Sequence, residues 1–380
     1  MKEKENELKL VDPPFASNVT DLIINIDNLR KRQLGGSTHP QIFFQIKHIF
    51  HILESIGSAR IEGNHTTIAE YVEREIEESE DEDEDITEIK NNEAALSFIE
   101  EVIESAPINR AFICELHKRV VKDLNREGSK TPGQYRKGNI VINHSKHTPP
   151  DFLKVNDLMD ELFSFINKPD PEKYDLIKIA IAHHRFTWIH PFDNGNGRTV
   201  RLLTYAMMIK MGFKVDTGRI LNPTAVFCSD RDAYYDALQR ADEGTDEGIL
   251  AWVEYVLSGL NHEISKIDNL LEVEFVKSKI LLPALKGLKE RKIITADEMK
   301  ILNKAAENQE FKTADLNEVF PGQSSVHLSR AVKRLRDMKF LKPIEENSRT
   351  YVLYFLRNYL MREIMICLDR EGFLPLKNEV

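Results

Sequence analysis

Apolar residues recur along most of this chain at intervals of three and four, the spacing that gathers them on one face of an α-helix. Residues 18–33 and 39–57 show it, the second through Phe43, Ile46, Ile49, His51 and Leu53. The pattern resumes at Asn92–Ser105 and at Arg110–Asn125. Ile177, Ala180, Ile181, His184 and Trp188 fall on one helix face, and after a break at Ile189–Gly197 the positions Val200, Leu203, Thr204, Met207 and Met211 repeat it. Further helix is predicted over 231–242 and 248–268. Two stretches read differently. In residues 128–150, Gly, Pro and Asn punctuate the β-prone run Ile140-Val141-Ile142, which predicts a hairpin or flap set among helices. Beyond residue 290 the pattern predicts short helices at Ile294–Asn308 and Thr313–Phe320, a third capped by Ser324-Ser325, and strands at Leu341–Ile344 and Thr350–Phe355. The expected fold class is mainly α, with a short β-hairpin flap and a separate C-terminal domain.

Charge alters this picture in one place. The 380 residues hold 52 Lys+Arg against 62 Asp+Glu, a net charge of −10. Ten of the carboxylates and a single arginine lie between Glu73 and Asp85, so that segment alone carries −9. With almost nothing apolar to bury, it is expected to be a solvated loop or a mobile helix end, with docking of a basic target as the alternative. The remainder is nearly neutral, which excludes a generally basic nucleic-acid coat and an acidic halophile-like surface. Composition, 41% hydrophobic and 30% charged, suits a soluble globular chain of two or three domains. The start, MKEKENELKL, is too charged for a signal peptide, and no apolar run approaches the ~18 residues of a membrane helix. Cys114, Cys228 and Cys367 form no CxxC pair, so a reducing cytoplasm without disulfides or structural zinc is expected.

The break between the two strongest helices reads Ile189-His190-Pro191-Phe192-Asp193-Asn194-Gly195-Asn196-Gly197-Arg198-Thr199-Val200-Arg201. Gly195-Asn196-Gly197 can adopt the positive-φ conformations that turn successive N–H groups toward one point. That point lies at a helix N-terminus, where unpaired N–H groups and the helix dipole favour phosphate. Arg198 and Arg201, three apart, are expected on the same side of the first helical turn. His190, just before the cradle, is the nearby group able to accept a proton at neutral pH. An anion cradle, two arginines and a base suit phosphoryl or nucleotidyl transfer to a hydroxyl, in which positioning and charge do most of the work. The plainer alternative is a glycine turn opening a helix beside a core histidine.

The run resembles the Fic family signature H-x-F-x-[D/E]-G-N-G-R-x-x-R at all positions except one. The resemblance extends over residues 40–265, including Pro132-Gly133-x-x-Arg136 and Tyr234-Tyr235 downstream. It implies a protein adenylyltransferase: His190 as the base that deprotonates a Tyr, Thr or Ser hydroxyl of a target protein, which then attacks the α-phosphate of ATP. It also implies Gly195, Asn196 and Gly197 as the phosphate cradle, Arg198 and Arg201 on the β- and γ-phosphates, and Phe192 as the anchor of the loop. Asn139, Ile140, Val141 and Ile142 would belong to a flap that aligns the target, and Tyr235 and Asp242 would meet the adenine. The departure is Asn194, where the family has Asp or Glu for Mg²⁺. An amide oxygen carries no charge and Asp193 is displaced by one position, so weaker metal binding is expected, with the ATP phosphates supplying most ligands.

Upstream, Ser58-Ala59-Arg60-Ile61-Glu62-Gly63-Asn64 fits a helix ending at Gly63. Taken alone, Glu62 could be an exposed helix-end carboxylate. Beside a Fic core, Ser58 and Glu62 resemble the family's inhibitory motif [S/T]-x-x-x-E-[G/N], in which Glu62 would pair with Arg201 and remove the cation that orients the γ-phosphate. Fic proteins can also remove AMP, and Glu62 keeps that direction open. His184 is expected in the core, and His144 and His147 face a target or solvent. The expected domains are an N-terminal helical region, 1–95, with the inhibitory helix at 50–63 and the acidic loop at 73–85; a catalytic core, 96–270; and a C-terminal domain, 271–380. Residues 291–360 carry 13 Lys+Arg and 9 Asp+Glu. Helix, helix, basic helix and wing there resemble a winged helix-turn-helix module, for DNA binding as a regulator or for docking a protein. A homodimer with no membrane association is the expected assembly.

Overall fold

The computed structural model describes residues 8–31, 37–77, 83–142, 146–215 and 220–374. In chain order the first helices are α1 (Asn18–Lys31), α2 (Pro40–Ile61), α3 (Ile68–Glu77), α4 (Glu84–Val102) and α5 (Arg110–Val120). They are followed by α6 (Val155–Asn167), α7 (Asp175–Ile189), α8 (Asn196–Lys210), α9 (Thr224–Cys228), α10 (Arg231–Ala241) and α11 (Asp246–Ile267). Next, α12 (Val273–Phe275) runs through a π-turn at Val276–Leu281 into α13 (Leu282–Glu290). The last elements are α14 (Ala296–Asn308), β1 (Phe311–Lys312), α15 (Ser325–Asp337), β2 (Leu341–Pro343), β3 (Thr350–Leu353) and α16 (Tyr359–Arg370). The chain is mainly helical, as its periodicity implies.

Two compact units are built from these elements. One takes residues 1–33, 51–65 and 82–265; the other takes 34–50, 66–81 and 266–380. In the first unit α8 is the central helix: α4, α5 and α7 all pack on it, and every residue from Arg198 to Ile209 is buried. Enclosed on all sides, α8 has no solvated face, and its polar residues Arg198, Thr199, Arg201 and Thr204 are buried along with its apolar ones. Next to it the rings of His183, Phe227, Tyr234 and Trp252 cluster, and Trp252 donates its indole N–H to Ala180 O at 2.7 Å. Such buried aromatic groups contribute both area and directionality.

In the second unit the three strands form an antiparallel sheet in the order β1-β3-β2, with Phe311 opposite Tyr351 and Leu341 opposite Leu353. The two predicted strands and the third helix are present. Ser324 caps α15 by accepting the N–H of His327, and Leu328, Val332 and Leu335 form its buried face. Thr295 and Glu298 close a reciprocal capping box on α14. Thr313–Asn317 is a 3₁₀ turn rather than a helix, and β1 is an edge strand too short for alternation to reveal.

One expectation is narrowed and one changes. Residues Glu73–Glu77 of the acidic tract complete α3, Asp83 caps α4, and Glu84 and Asp85 begin it, so the described part of the tract forms helix ends, one of the two forms expected. Carboxylates favour a helix N-terminus, and Glu84 also accepts the N–H groups of Asn125, Arg126 and Glu127. Glu73 and Glu75 pair with Arg362 and Arg357 at 2.9 and 3.4 Å. Residues 78–82 lie outside the described ones. Among the described residues the predicted hairpin flap has no strand, and Asn139–Ile142 is irregular. Its tip, 143–145, which includes His144, lies outside the described residues.

Candidate active site

The loop from His190 to Gly197 is shaped by two left-handed residues. His190 ends α7 with φ 51° and ψ 63°, and Gly195 precedes α8 with φ 73°. A Cβ on Gly195 would stand 2.8 Å from Val121 Cγ1, so both backbone and space select glycine there. Asn196 fastens the loop to itself: its amide oxygen accepts Phe192 N–H and its amide N–H₂ donates to Phe192 O, both at 2.9 Å. Phe192 is fully buried and lies flat on His117, with ring centroids 3.7 Å apart and planes 1° from parallel.

Sequence reasoning missed His117. Its Nε2–H donates to Asn194 O at 3.0 Å, while Nδ1 accepts Gly133 N–H at 2.9 Å. Arg136 acts from the same side. Its backbone N–H donates to Pro191 O, and its guanidinium donates to the carbonyls of His190, Gly138 and Pro150. Together they fix the loop to the start of the flap. Pro132-Gly133-x-x-Arg136 hinted at this, but a lone histidine in α5 carries no signal of its own.

His190 is arranged as a base. A carbonyl oxygen can only accept, so the contact of Nδ1 with Thr187 O at 3.3 Å assigns the ring hydrogen to Nδ1 and leaves the lone pair on Nε2. Burial pushes its pKa down to about 4, against the opposing pull of the Thr187 carbonyl and Glu62. The ring is therefore neutral at pH 7 and free to take a proton.

Residues spaced four apart, from α2 into the turn that follows it, meet α9 and the start of α8. Glu54 accepts both the backbone N–H and the hydroxyl of Thr224, and burial raises its pKa to about 8. Ser58 accepts from Arg201 twice at 2.9 Å, through its hydroxyl to Nε and its carbonyl to Nη2. Glu62 meets Arg201 Nη2 at 2.7 Å. Its carboxylate lies so close to the cradle that a Cβ on Gly197 would come 2.0 Å from Glu62 Oε1. Burial works against both charges, yet the pairing outweighs it: the Glu62 pKa is lowered and that of Arg201 is raised.

Arg198 is placed otherwise than its spacing suggests. Fully buried, it pairs with Glu88 of α4 at 2.9 Å and donates to Val120 O and Glu127 O. Tyr235 is partly exposed, with Arg231 above its ring, and Asp242 accepts from His184, which is buried as expected. Asn139 ties the flap base to Asp151 and Phe152, and Val141 is 86% exposed. His147 lies against Trp188 O at 2.7 Å rather than facing outward alone.

The donors of the loop do not suit a protein-held Mg²⁺. The amide oxygen of Asn194 accepts Gly195 N–H at 2.7 Å, and Asp193 is taken up by the Ser129 hydroxyl and Lys130 N–H. Among the described residues no group of three or more His, Cys, Asp or Glu is placed to hold a metal ion.

Comparison with known proteins agrees with this geometry. Residues 107–208, which span α5 to α8 and the whole His190–Arg201 loop, match the Fic/DOC family model. Over those residues the chain is similar to the Fic/DOC family. Two curated relatives are each called protein adenylyltransferase Fic. That of Aedes aegypti is 30% identical over 206 residues, 52% of this chain and 37% of its own length. That of Nematostella vectensis is 32% identical over 133 residues, 35% of this chain and 28% of its own length. This chain thus matches well under half the length of either. A Fic family protein from Desulfovibrio desulfuricans G20 shares the fold with a TM-score of 0.54 at 18% identity, over 90% of this chain and 98% of that one. Fic-1 of C. elegans does so with 0.53 at 21% identity, over 67% and 72%. Among the described residues no helix is long and apolar enough to cross a membrane.

Proposed function

We propose that the Fic domain of this chain transfers AMP from ATP to a hydroxyl side chain of a protein. The observation that supports this best is the single tautomer of His190, whose Nε2 is unprotonated at neutral pH beside the N-terminus of α8. His190 takes the proton of the target hydroxyl, the oxygen bonds to the α-phosphorus of ATP, and the bond to the bridging β-oxygen breaks, releasing pyrophosphate. The helix start at Gly195-Asn196-Gly197 stabilises the developing charge, and Arg201 orients the outer phosphates. Tyr235 and Asp242 are the candidates for the adenine. The flap, with Val141 outward, is the candidate platform for the target. Any Mg²⁺ would arrive on the nucleotide, held mainly by its phosphates, since Asn194 and Asp193 are already engaged.

In this reading Glu62 is a brake. Its carboxylate occupies the fork of Arg201 and crowds Gly197, the two places a γ-phosphate would use. The test is incubation of the wild-type chain and Glu62→Gly with ATP labelled at the α- or the γ-phosphate. Label transferred to protein from the α-position only, and more in Glu62→Gly by about tenfold, equivalent to ~1.4 kcal/mol, is the expected outcome. Transfer from γ only, or none, sinks the reading. A Glu62→Gly chain that adds no AMP but loses the ability to remove it from a modified protein would favour reversal, with Glu62 holding the attacking water.

For the second unit we infer a winged-helix module that docks a protein. Its helix α15 exposes Arg330 and Lys333, but the hairpin tip carries Glu345 and Glu346, which repel a phosphate backbone. Retention on duplex DNA that falls steeply with salt would overturn protein docking in favour of DNA.

A further inference from the structure

Glu62 accounts for one arginine of the pair. What holds the other begins two residues further on. Asn64, where the chain leaves α2, is 4% exposed, and its backbone N–H closes on Ala59 O at 3.1 Å. Its side-chain amide donates to Asp85 O at 2.8 Å and to Glu88 Oε2 at 2.9 Å. The other oxygen of Glu88 lies 2.9 Å from Arg198 Nη1, and both side chains are buried. A continuous run of polar contacts therefore leads from the end of α2 through α4 to the first arginine of the loop helix.

A carboxylate buried this deeply holds its charge only through its partners, and burial already raises the pKa of Glu88 despite Arg198. Its partners come from two sides: Arg198 supplies the counter-charge without a hydrogen bond to Oε1, and Asn64 donates a neutral N–H to Oε2. Arg198 in turn has Nε buried without a hydrogen-bond partner, so its guanidinium is not saturated by the surroundings. One N–H of the group therefore lacks an acceptor, while Nη1 and Nη2 are met by Val120 O, Glu127 O and Glu88.

We propose that Asn64, Glu88 and Arg198 form a second arm of the brake, through which the end of α2 restrains Arg198 while Glu62 restrains Arg201. This rests on the reading of Glu62 given above. Withdrawal of the α2 end removes the Asn64 N–H from Glu88 and opens that carboxylate to water. A hydrated, screened carboxylate grips an arginine less than a dry one does. Both arginines then become available to a polyphosphate together, rather than one after the other.

The readout is specific for phosphate. Affinities for α,β-methylene ATP and for adenosine are measured by calorimetry on the wild-type chain, Glu88→Gln, Asn64→Ala, Glu62→Gly and the Glu62→Gly/Glu88→Gln double variant. Glu88→Gln keeps the shape and an acceptor for Asn64 but removes the counter-charge. The expected result is triphosphate binding about fivefold tighter in Glu88→Gln, in the range of a charge-assisted contact, with adenosine binding unchanged. The gain persists when Glu62 is already glycine, and Asn64→Ala moves in the same direction by less. A triphosphate-to-adenosine affinity ratio unchanged in both Glu88→Gln and Asn64→Ala overturns the proposal. If only melting temperature falls and both ligands weaken in parallel, the run is structural and the proposal is equally overturned. Should Glu88→Gln not fold, Asn64→Ala, which leaves the ion pair intact, decides alone. Failure of Glu62→Gly to bind triphosphate more tightly strikes the Glu62 reading and is visible separately, because Glu88→Gln is read in a chain that retains Glu62.

Discussion

Helices α8 and α15 each carry arginines three or four residues apart and treat them in opposite ways. On α8, Arg198 and Arg201 are buried, each matched to a carboxylate from another helix, Glu88 and Glu62. On α15, Arg330 and Lys333 project from the exposed side, and Arg334, with a partner in Glu298 at 3.1 Å, is still largely exposed. A cation enclosed by protein must be paired, so whatever displaces its partner acquires a strong site. A cation in water makes no such demand and can be changed at little consequence. The difference lies less in the helices than in what surrounds them: α8 sits inside the first unit, while α15 buries only Leu328, Val332 and Leu335.

This contrast can be broken from either side. The largest effect is expected from His190→Ala. AMP transfer should fall by about 10²–10⁴-fold, while affinity for the triphosphate stays within a factor of two or so, as labelled-ATP assays and calorimetry would show. Next is Phe192→Ala, which removes the ring stacked on His117 and leaves a cavity under the loop. Denaturant unfolding should show a loss of about 3–5 kcal/mol. A loss below ~1 kcal/mol would mean that the loop is held by Arg136 and Asn196 alone.

The buried histidines give the enclosed region a pH signature. Burial holds both His117 and His190 at about 4, below the ~6.5 of an unfolded histidine. The unfolded chain therefore binds protons first. Their contribution to stability is complete above pH 6.5 and is lost as pH falls toward 4. Unfolding midpoints at pH 7.5, 6 and 5 should decline in that order, and the decline should be shallower in His117→Gln. Smallest of all, Arg330→Ala and Lys333→Ala should change stability by no more than ~0.5 kcal/mol; a larger shift would mean that α15 is not the open surface it resembles.

Much of the first unit was legible because its signals are local. His190, Gly195 and Gly197 sit in one uninterrupted run, and helical spacing located α7 and α8 on either side of it. Glu62 was legible for the same reason, as a carboxylate at a recognisable helix end. What escaped was set by distance along the chain. Spacing three apart placed Arg198 and Arg201 together, yet Glu88 lies 110 residues before Arg198, and nothing near either residue announces their pairing. His117 reads as one polar residue in an amphipathic helix until Gly133 and Asn194 close on its two nitrogens. The acidic tract was legible only as far as two alternatives: composition pointed to a loop or a helix end, and the carboxylates at Asp83–Asp85 stand at a helix start, which favours them.

Because Glu54, Ser58 and Glu62 recur every fourth residue from α2 into the turn that follows it, the helix works as a ruler that sets which residue meets Arg201. One extra codon between Ser58 and Glu62 would turn everything beyond it by about 100° and carry the carboxylate off Arg201, although no residue at the nucleotide site had changed. A single in-frame insertion would thus break the Glu62–Arg201 pair as completely as replacing the glutamate. The length of this helix, and not only its composition, sets which residue meets Arg201.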